Sequence, residues 1–226
     1  MPLGKRTDLR DLPLVTIDGS DARDYDDAVW AAPDEKIPGG WHLIIAIADV
    51  VSYVTPGNAL DRSAEERGTS VYFPDRVVPM LPEALSNGWC SLVPKADRPC
   101  IAVDIWVNEK GQKTHHRFRR AMMRSAARLT YSQVQNLRDG VVEENLSKLP
   151  PNLIPDLYGA FEALDIVLPP GRVVSPVYPA TVNHYFPTSH LAYACVVAAL
   201  GKLNPSRAVA PPGLGNGAIA IGYREG

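Results

Sequence analysis

The sequence predicts an α+β fold in which a mixed β-sheet is flanked by helices. Two short apolar runs rich in β-branched residues, at 14–18 and 42–50, are typical of buried strands. Residues 101–108 place apolar side chains at alternate positions, and a turn at Gly111 leads into residues 115–124, a pattern typical of a β-hairpin. Helical patterns lie between and after these strands, which gives a mixed α and β domain.

The remaining elements follow from local signals. Residues 58–67 predict a helix, because Pro56 and Gly57 precede it and Gly68 occupies the position just past its end. Residues 70–73 predict a further strand. Helices are expected at 132–137 and 152–164.

Composition divides the chain into two parts. Of its 25 acidic residues, 24 lie at or before Asp165, and the stretch 166–224 has none but contains two Pro-Pro pairs and a glycine-rich run. We therefore predict one folded domain over 1–165 and a separate segment over 166–226. The formal charge of −2 offers no overall attraction to polyanions, so any nucleic-acid site must be local.

Apolar runs, cysteines and histidines indicate the cellular compartment of the protein and the kinds of metal site it could form. The longest apolar run, 191–200, is half the ~20 residues that cross a bilayer, and the N-terminus lacks a signal peptide's apolar segment, so we expect a cytoplasmic protein without membrane contact. Cys90, Cys100 and Cys195 form no C-x-x-C pair, which supports neither a disulfide framework nor a structural zinc site. His184 and His190 lack a third ligand and are a weak metal pair.

An acidic cluster follows the first predicted strand. Five aspartates fall within ten positions, at Asp18, Asp21, Asp24, Asp26 and Asp27. Two carboxylates ~4 Å apart repel by about 4 kcal/mol at an effective dielectric constant of ~20, so the side chains either separate into water or converge on a cation. Carboxylates without paired His or Cys favour Mg²⁺ or Mn²⁺ over zinc.

Two known acidic motifs fit this cluster poorly. An EF-hand loop that began at Asp24 would have Ala28 and Val29 at its fifth and sixth positions, where an acid or amide and a glycine are needed. An aspartate-nucleophile phosphatase places D-x-D at the end of an apolar strand, whereas here a polar segment precedes Asp24. The second pattern stays open as a different phosphoryl-transfer chemistry.

Several longer motifs resemble those of a known enzyme family. The segments DLRDLPLVTIDGSDARDYDDAV, IAIADVVSYV, ALDRSAEERGTSVYFPDRVVPMLPEALSNGWCSL and RSAARLTYSQV occur in the order found in the RNB-type catalytic domain of the ribonuclease II and ribonuclease R family. The resemblance is dense from about residue 8 to 135 and covers the first half of that domain. It favours the cation interpretation of the acidic cluster, because agreement across several motifs outweighs one local cue.

The resemblance implies a Mg²⁺-dependent exoribonuclease that degrades single-stranded RNA from 3′ to 5′ and releases nucleoside 5′-monophosphates. It places the family's four acidic positions on Asp18, Asp24, Asp26 and Asp27, with Asp26 the most critical for turnover. The other three are then metal ligands or orient the attacking water. Asp21 matches no required position and is expected on the surface.

RNA contacts are also implied. Tyr72 and Tyr131 match tyrosines that contact the 3′-terminal nucleotides, although packing in a strand and at a helix entry would equally account for them. Residues 110–128 contain two lysines, five arginines and two histidines and no acid, and could either follow a phosphate backbone or form a solvated strand face. Together, the candidate RNA contacts are Tyr72, Tyr131, Arg117, Arg119, Arg124 and Arg128.

The resemblance has limits. The family's AHxLIEE helix and HFTSPIRRYPD segment, whose arginine contacts the scissile phosphate, do not occur in the sequence. Residues 166–226 match nothing in the family and are interpreted as a frame-shifted product or a disordered tail. Trp89 stands where leucine is commoner, which we interpret as a packing change. The expected function is an exoribonuclease with activity impaired by truncation and no obligate protein partner; the alternative is a non-catalytic RNA-binding remnant.

Overall fold

A computed structural model of the chain describes residues 3–20, 22–73, 76–141, 146 and 148–165, with the backbone alone of Tyr72, Arg138 and Asp165. The tail 166–226, including His184, His190 and Cys195, lies outside the described residues, as does Asp21. In the described part, no helix is long and apolar enough to cross a membrane.

Seven strands form one mixed sheet. They are β1 (Thr7–Asp8), β2 (Val15–Asp18), β3 (Asp27–Pro33), β4 (Trp41–Ala48), β7 (Asp97–Val107), β8 (Lys113–Arg124) and β9 (Ala127–Thr130), and β5 (Val71–Tyr72) pairs with β6 (Val77–Val78) in a separate ribbon. The order across the sheet is β1-β8-β7-β4-β3-β2-β9. The pairs β1–β8 and β2–β9 are parallel and the other pairs of this sheet are antiparallel.

Three α-helices and two shorter helical turns complete the described part. The α-helices are α1 (Ala59–Arg67), α2 (Tyr131–Arg138) and α3 (Leu153–Asp165), and the turns are a 3₁₀ turn (Val50–Ser52) and a π-helical turn (Ala84–Trp89). The side chain of Asn58 caps α1 by accepting from the Asp61 N–H. Thr130 and Gln133 form a reciprocal capping box at the start of α2.

Both faces of the sheet are covered with apolar side chains. On one face, α2 and α3 pack over a core that includes Val29, Ile45 and Leu157. On the other face, the loops around Leu9, Leu85 and Leu92 cover a second core. A central strand buried on both faces loses the period-2 alternation that marks a half-buried strand.

The predicted α+β class is confirmed, and most element bounds are right to within a few residues. The predicted hairpin is β7 and β8, although β7 begins four residues earlier than expected, at Asp97. Strand β3, which begins within the acidic cluster, and the short β9 were missed. Both lack a strong periodic signal of their own, since Ala28, Ala31 and Ala32 dilute the pattern in β3.

Candidate active site

The predicted acidic residues meet at one end of the sheet, called here the acidic end. Asp18 is the last residue of β2, and Asp27 is the first residue of β3. The antiparallel register that pairs Val15 with Val29 brings these two strand ends side by side. The turns at 34–40 and 108–112 lie at the opposite end of the sheet.

The connecting segment 19–26 is anchored to the core through Tyr25. The Tyr25 side chain is 8% exposed. Its backbone N–H donates to Ser91 Oγ at 3.0 Å, and its carbonyl accepts from the Leu92 N–H at 2.8 Å. One residue later, the Asp26 carbonyl accepts from the Ala48 N–H at 2.8 Å. These bonds fix the backbone on which Asp24, Asp26 and Asp27 are carried.

Arg128 holds the first half of the same segment. Its guanidinium donates to the carbonyls of Gly19, at 3.3 Å, and Ser20, at 2.7 Å, and lies 5.1 Å from the centre of the Tyr25 ring. The parallel pairing of β2 with β9 places Arg128 opposite Thr16. Arg128 was predicted to bind RNA, and in the structure its described contacts position the acidic segment.

The four carboxyl groups influence one another electrostatically. Burial, with smaller contributions from the charges of Asp27 and Asp24, raises the pKa of Asp18 to about 7 against the opposing charge of Arg128. Burial raises the pKa of Asp26 to about 6, with further contributions from Asp24 and Asp18.

Asp27 behaves in the same way. Burial and the charge of Asp26 raise its pKa to about 6, against a backbone hydrogen bond that lowers it. A cluster of acids with raised pKa values is typical of a functional site, because active sites often shift pKa values through desolvation and like charges.

The donor set fits a hard divalent cation. Asp18 Oδ2 is buried and has no hydrogen-bond partner in the described part of the chain, so the fold leaves one carboxylate oxygen available for another ligand. An all-carboxylate site suits Mg²⁺ or Mn²⁺. Across the described ranges, however, no three His, Cys, Asp or Glu side chains are already arranged as a metal-binding group.

The predicted tyrosine contacts lie in two different elements. Tyr131 begins α2, directly after the capping residue Thr130, and is partly buried against the core beneath the helices. Tyr72 lies in the β5–β6 ribbon, and its side chain is outside the described residues. Their RNA contacts remain predictions.

The other candidate arginines lie on β8 and pair with acids of β7. Arg119 is 16% exposed at its side chain and bonds the buried Asp104 at 2.7 Å, while Arg117, 62% exposed, lies 3.8 Å from the same carboxylate. Arg124 bonds Asp97 at 2.7 Å. Part of the positive charge of the basic stretch is thus balanced within the sheet, and Arg117 is the most exposed of these three arginines.

Ser91 and Arg98 were not singled out from the sequence, yet both organise the site. Ser91 is completely buried and accepts the Tyr25 N–H, and Arg98 Nε donates to the Ser91 carbonyl at 2.9 Å. A serine flanked by Cys90 and Leu92 in an apolar segment is the one signal that could have indicated a buried polar contact.

The model of the RNB domain family matches residues 6–164. The chain belongs to the RNB domain family. It is 58% identical over 135 residues to ribonuclease R of Escherichia coli strain K12, which covers 60% of this chain and 16% of the relative. It is 53% identical over 152 residues to ribonuclease R of Vibrio cholerae, covering 67% and 18% respectively.

Solved RNB structures have the same fold. Mycoplasma genitalium RNase R in complex with double-stranded RNA matches with a TM-score of 0.66 and 34% identity over 73% of this chain and 28% of that one. Yeast Ssd1, described as a pseudonuclease, matches with a TM-score of 0.56 at 18% identity, which shows the fold alone. The match thus covers less than a third of the length of each of these four proteins.

Proposed function

We propose that this RNB chain carries the metal-binding part of a 3′-to-5′ exoribonuclease site, which hydrolyses single-stranded RNA to nucleoside 5′-monophosphates. The observation that carries the proposal is the convergence of Asp18, Asp26 and Asp27 at the acidic end, with raised pKa values and one unpartnered carboxylate oxygen. Identity to proteins named ribonuclease R supports the reaction class. A relative solved with ribose-methylated single-stranded RNA supports the substrate.

Asp18, Asp24, Asp26 and Asp27 are the residues that would hold Mg²⁺, or Mn²⁺ in its place. When bound, the ion shields the phosphate charge and activates water for attack on phosphorus. The chain itself positions these aspartates. Ser91 Oγ accepts from the Tyr25 N–H and the Ala48 N–H donates to the Asp26 carbonyl, so the backbone of the segment is held in place. The fold shields Asp18 Oδ2 from solvent, so water does not compete for that oxygen.

Activity of the chain alone is expected to be weak. The sequence contains no HFTSPIRRYPD segment, so the family's arginine at the scissile phosphate has no counterpart here. Loss of one such electrostatic contact typically slows turnover by about 100- to 1,000-fold. We place the reaction in the cytoplasm, with RNA as the partner.

A decay assay on 5′-labelled oligo(A) tests the proposal. With Mg²⁺, the chain should shorten the oligonucleotide from its 3′ end and release mononucleotides, and EDTA should stop the reaction. Asp26→Asn should lower the rate by at least about 100-fold, because it removes a metal-directed charge while keeping the side chain's size. Oligo(A) binding by Asp26→Asn should stay within about threefold of the parent.

The matched control is Asp34→Asn, an acid in the turn at the opposite end of the sheet. Its cleavage rate should equal that of the parent. If parent and Asp26→Asn both bind oligo(A) and neither releases mononucleotides, the alternative of a non-catalytic RNA-binding remnant is correct.

A further inference from the structure

A pair of aromatic side chains lies beside the acidic segment and has no role in the function proposed above. Trp89, at the end of the π-helical turn, is 65% exposed, and its ring centre lies 6.0 Å from that of Tyr53 at an interplanar angle of 54°. A packing change at position 89 would bury the indole, so the interpretation made from the sequence is wrong. An indole held largely in water presents a ring face to a ligand.

Both rings are attached to the backbone that holds the catalytic aspartates. The N–H of Ala48 donates to the Asp26 carbonyl. Two residues later the 3₁₀ turn Val50–Ser52 begins, and Tyr53 directly follows it. On the other side, Leu92 donates to the Tyr25 carbonyl three residues after Trp89. Each ring therefore extends from one of the two segments that hydrogen-bond to residues 25–26.

Polar contacts hold the backbone on either side of the two rings. Asp49, whose side chain is fully buried, accepts from the Arg6 guanidinium at 2.6 Å and from the Ser52 hydroxyl at 2.8 Å. On the Trp89 side, Arg98 donates to the carbonyls of Gly88, at 3.3 Å, and Ser91, at 2.9 Å. Because the backbone under each ring is already ordered, stacking of a ligand does not have to pay for ordering it.

A basic cleft adjoins the turn that carries Tyr53. It has a volume of about 200 Å³ and is lined by Leu3, Gly4, Lys5, Arg6 and Arg120. Arg6 joins the two features, because it also donates to Ser52 Oγ at 2.6 Å, one residue before Tyr53. Lys5 is exposed and Arg120 is 59% exposed at its side chain, while Asp49 is the acid that pairs with Arg6 and lies 3.8 Å from Arg120.

Three cations near one buried carboxylate give this cleft a positive charge, in a chain whose overall charge is −2. Exposed aromatic rings beside a positive groove are the combination that binds single-stranded nucleic acid without sequence preference. The bases stack on the rings while the cations contact phosphates.

We propose that Trp89, Tyr53 and the basic cleft form a second RNA-binding subsite, in which a base stacks on Trp89 and a backbone phosphate lies against Lys5 and Arg120. The RNA identity of the ligand rests on the proposed function. The subsite holds the strand beside the acidic segment and is separate from the carboxylates that cleave it. It adds affinity for single strands without selecting a sequence.

Binding of fluorescein-labelled oligo(A) to the 226-residue Asp26→Asn chain tests the subsite, with fluorescence anisotropy measured in Mg²⁺ at several salt concentrations. Trp89→Leu should raise Kd about fivefold or more, whereas Trp89→Phe, which keeps a ring, should recover at least half of the affinity. Arg120→Gln should reduce the slope of log K against log salt by about 0.7, the value for one phosphate contact on a single strand.

Two control variants lie at the opposite end of the sheet. Trp106→Leu removes an indole stacked between His42 and His115, and Lys36→Gln removes an exposed cation from the turn between β3 and β4. Both should bind oligo(A) within twofold of the parent. Melting temperatures of all variants confirm that each chain is folded at the assay temperature.

The outcomes separate the subsite from the proposed function. If the parent binds oligo(A) and Trp89→Leu and Arg120→Gln bind equally well, the subsite is overturned while the exoribonuclease proposal stands. If the parent binds no oligo(A) even at low salt, the subsite and the RNA substrate fail together. Loss of affinity in Trp106→Leu equal to that in Trp89→Leu would also overturn the subsite, because the effect would then not be local.

Discussion

Asp18 shows at the level of one residue how the fold changes the pKa and the hydrogen bonding of a carboxylate at the acidic end. Its position at the end of β2 buries a carboxylate oxygen near Asp27 and Asp24, and burial together with these like charges raises the pKa of Asp18 to about 7. The sequence could identify Asp18 as a candidate because it follows an apolar strand. It could not show that one of its oxygens is buried without a hydrogen-bond partner, because that depends on the strands and loops around it.

Metal-free stability should fall as the pH rises from about 4 to about 7. The folded chain keeps a proton on Asp18 that the unfolded chain, with a pKa near 3.8, has already released, so the folded state binds more protons across this range. The free energy of unfolding in EDTA should drop by at least about 1 kcal/mol, or about 2 to 4 °C in Tm.

Asp18→Asn should flatten this dependence and raise the metal-free Tm at pH 8, because asparagine carries no charge to bury. Mg²⁺ should raise the Tm of the parent at pH 8 and raise that of Asp18→Asn less. Thermal unfolding followed by circular dichroism gives the Tm of the parent and of Asp18→Asn, each with Mg²⁺ and with EDTA. A parent Tm that is constant from pH 4 to 8 in EDTA would contradict this assignment.

Arg128→Gln should weaken metal binding although Arg128 is not a carboxylate. The substitution removes two hydrogen bonds to the carbonyls of Gly19 and Ser20 and the contact with the Tyr25 ring, and it removes a charge that lowers the pKa of Asp18. The Mg²⁺ concentration needed for half of the maximal Tm shift at pH 7 should rise about threefold or more, consistent with roughly 1 kcal/mol for a lost hydrogen bond.

Arg62→Gln is the control for Arg128→Gln, because the Arg62 guanidinium also donates to a loop carbonyl, that of Gly57, but on α1. Its Mg²⁺ dependence should match the parent. Equal Mg²⁺ midpoints in parent and Arg128→Gln would leave Arg128 free for the RNA contact predicted from the sequence.

Among the elements, predictability followed the strength of the local signal. The hairpin β7–β8 and the helices α1 and α3 were predictable because period-2 alternation, an Asn58 cap and a long apolar pattern specify them locally. Strand β3 was not, since it starts at Asp27 inside an acidic run and is stabilised by pairing with β2 and β4 and by α3, which lies more than a hundred residues away along the chain. The site inherits this limit, because β3 positions Asp27.

Gly159→Ala tests how closely α3 packs on the sheet. In an exposed helix this change would stabilise by up to about 1 kcal/mol. Here a β-carbon at position 159 would lie within 2.5 Å of the Trp41 ring, so the helix or the indole must shift. We expect a net loss of about 1 to 3 kcal/mol in denaturant unfolding, the usual cost of overpacking.

Gly88→Ala is the matched control, because its nearest neighbouring atom would be 4.0 Å from the added carbon. Its stability should change by less than about 0.5 kcal/mol, as at an ordinary surface site. A stabilising Gly159→Ala would show that α3 lies farther from β4 than described.

At the scale of the whole molecule, the described part of the chain contains two cores. The buried members of the described part run from Leu9 to Ala163, and the RNB match ends at residue 164. From composition we predict a domain boundary near 165, because acidic residues are absent from 166–224. No local pattern could predict that residues 3–9 close one edge of the sheet, since β1 pairs with β8 across more than a hundred residues.

A chain that ends at Asp165 should therefore fold as the longer chain does. Both cores are retained, so its Tm should stay within about 4 °C of the 226-residue chain, which corresponds to roughly 1 kcal/mol for a domain of this size. A chain that ends at Asn152 removes α3 and exposes the apolar side chains beneath it, including those that face Leu153, Leu157 and Phe161. It should lose cooperative unfolding, because deleting several buried large side chains costs more than a typical domain's entire stability of about 5 to 15 kcal/mol. Thermal unfolding by circular dichroism, with and without Mg²⁺, compares the three chains. If the 165-residue chain also unfolds without a cooperative transition, residues 166–226 supply contacts that the fold needs, and the predicted domain boundary is wrong.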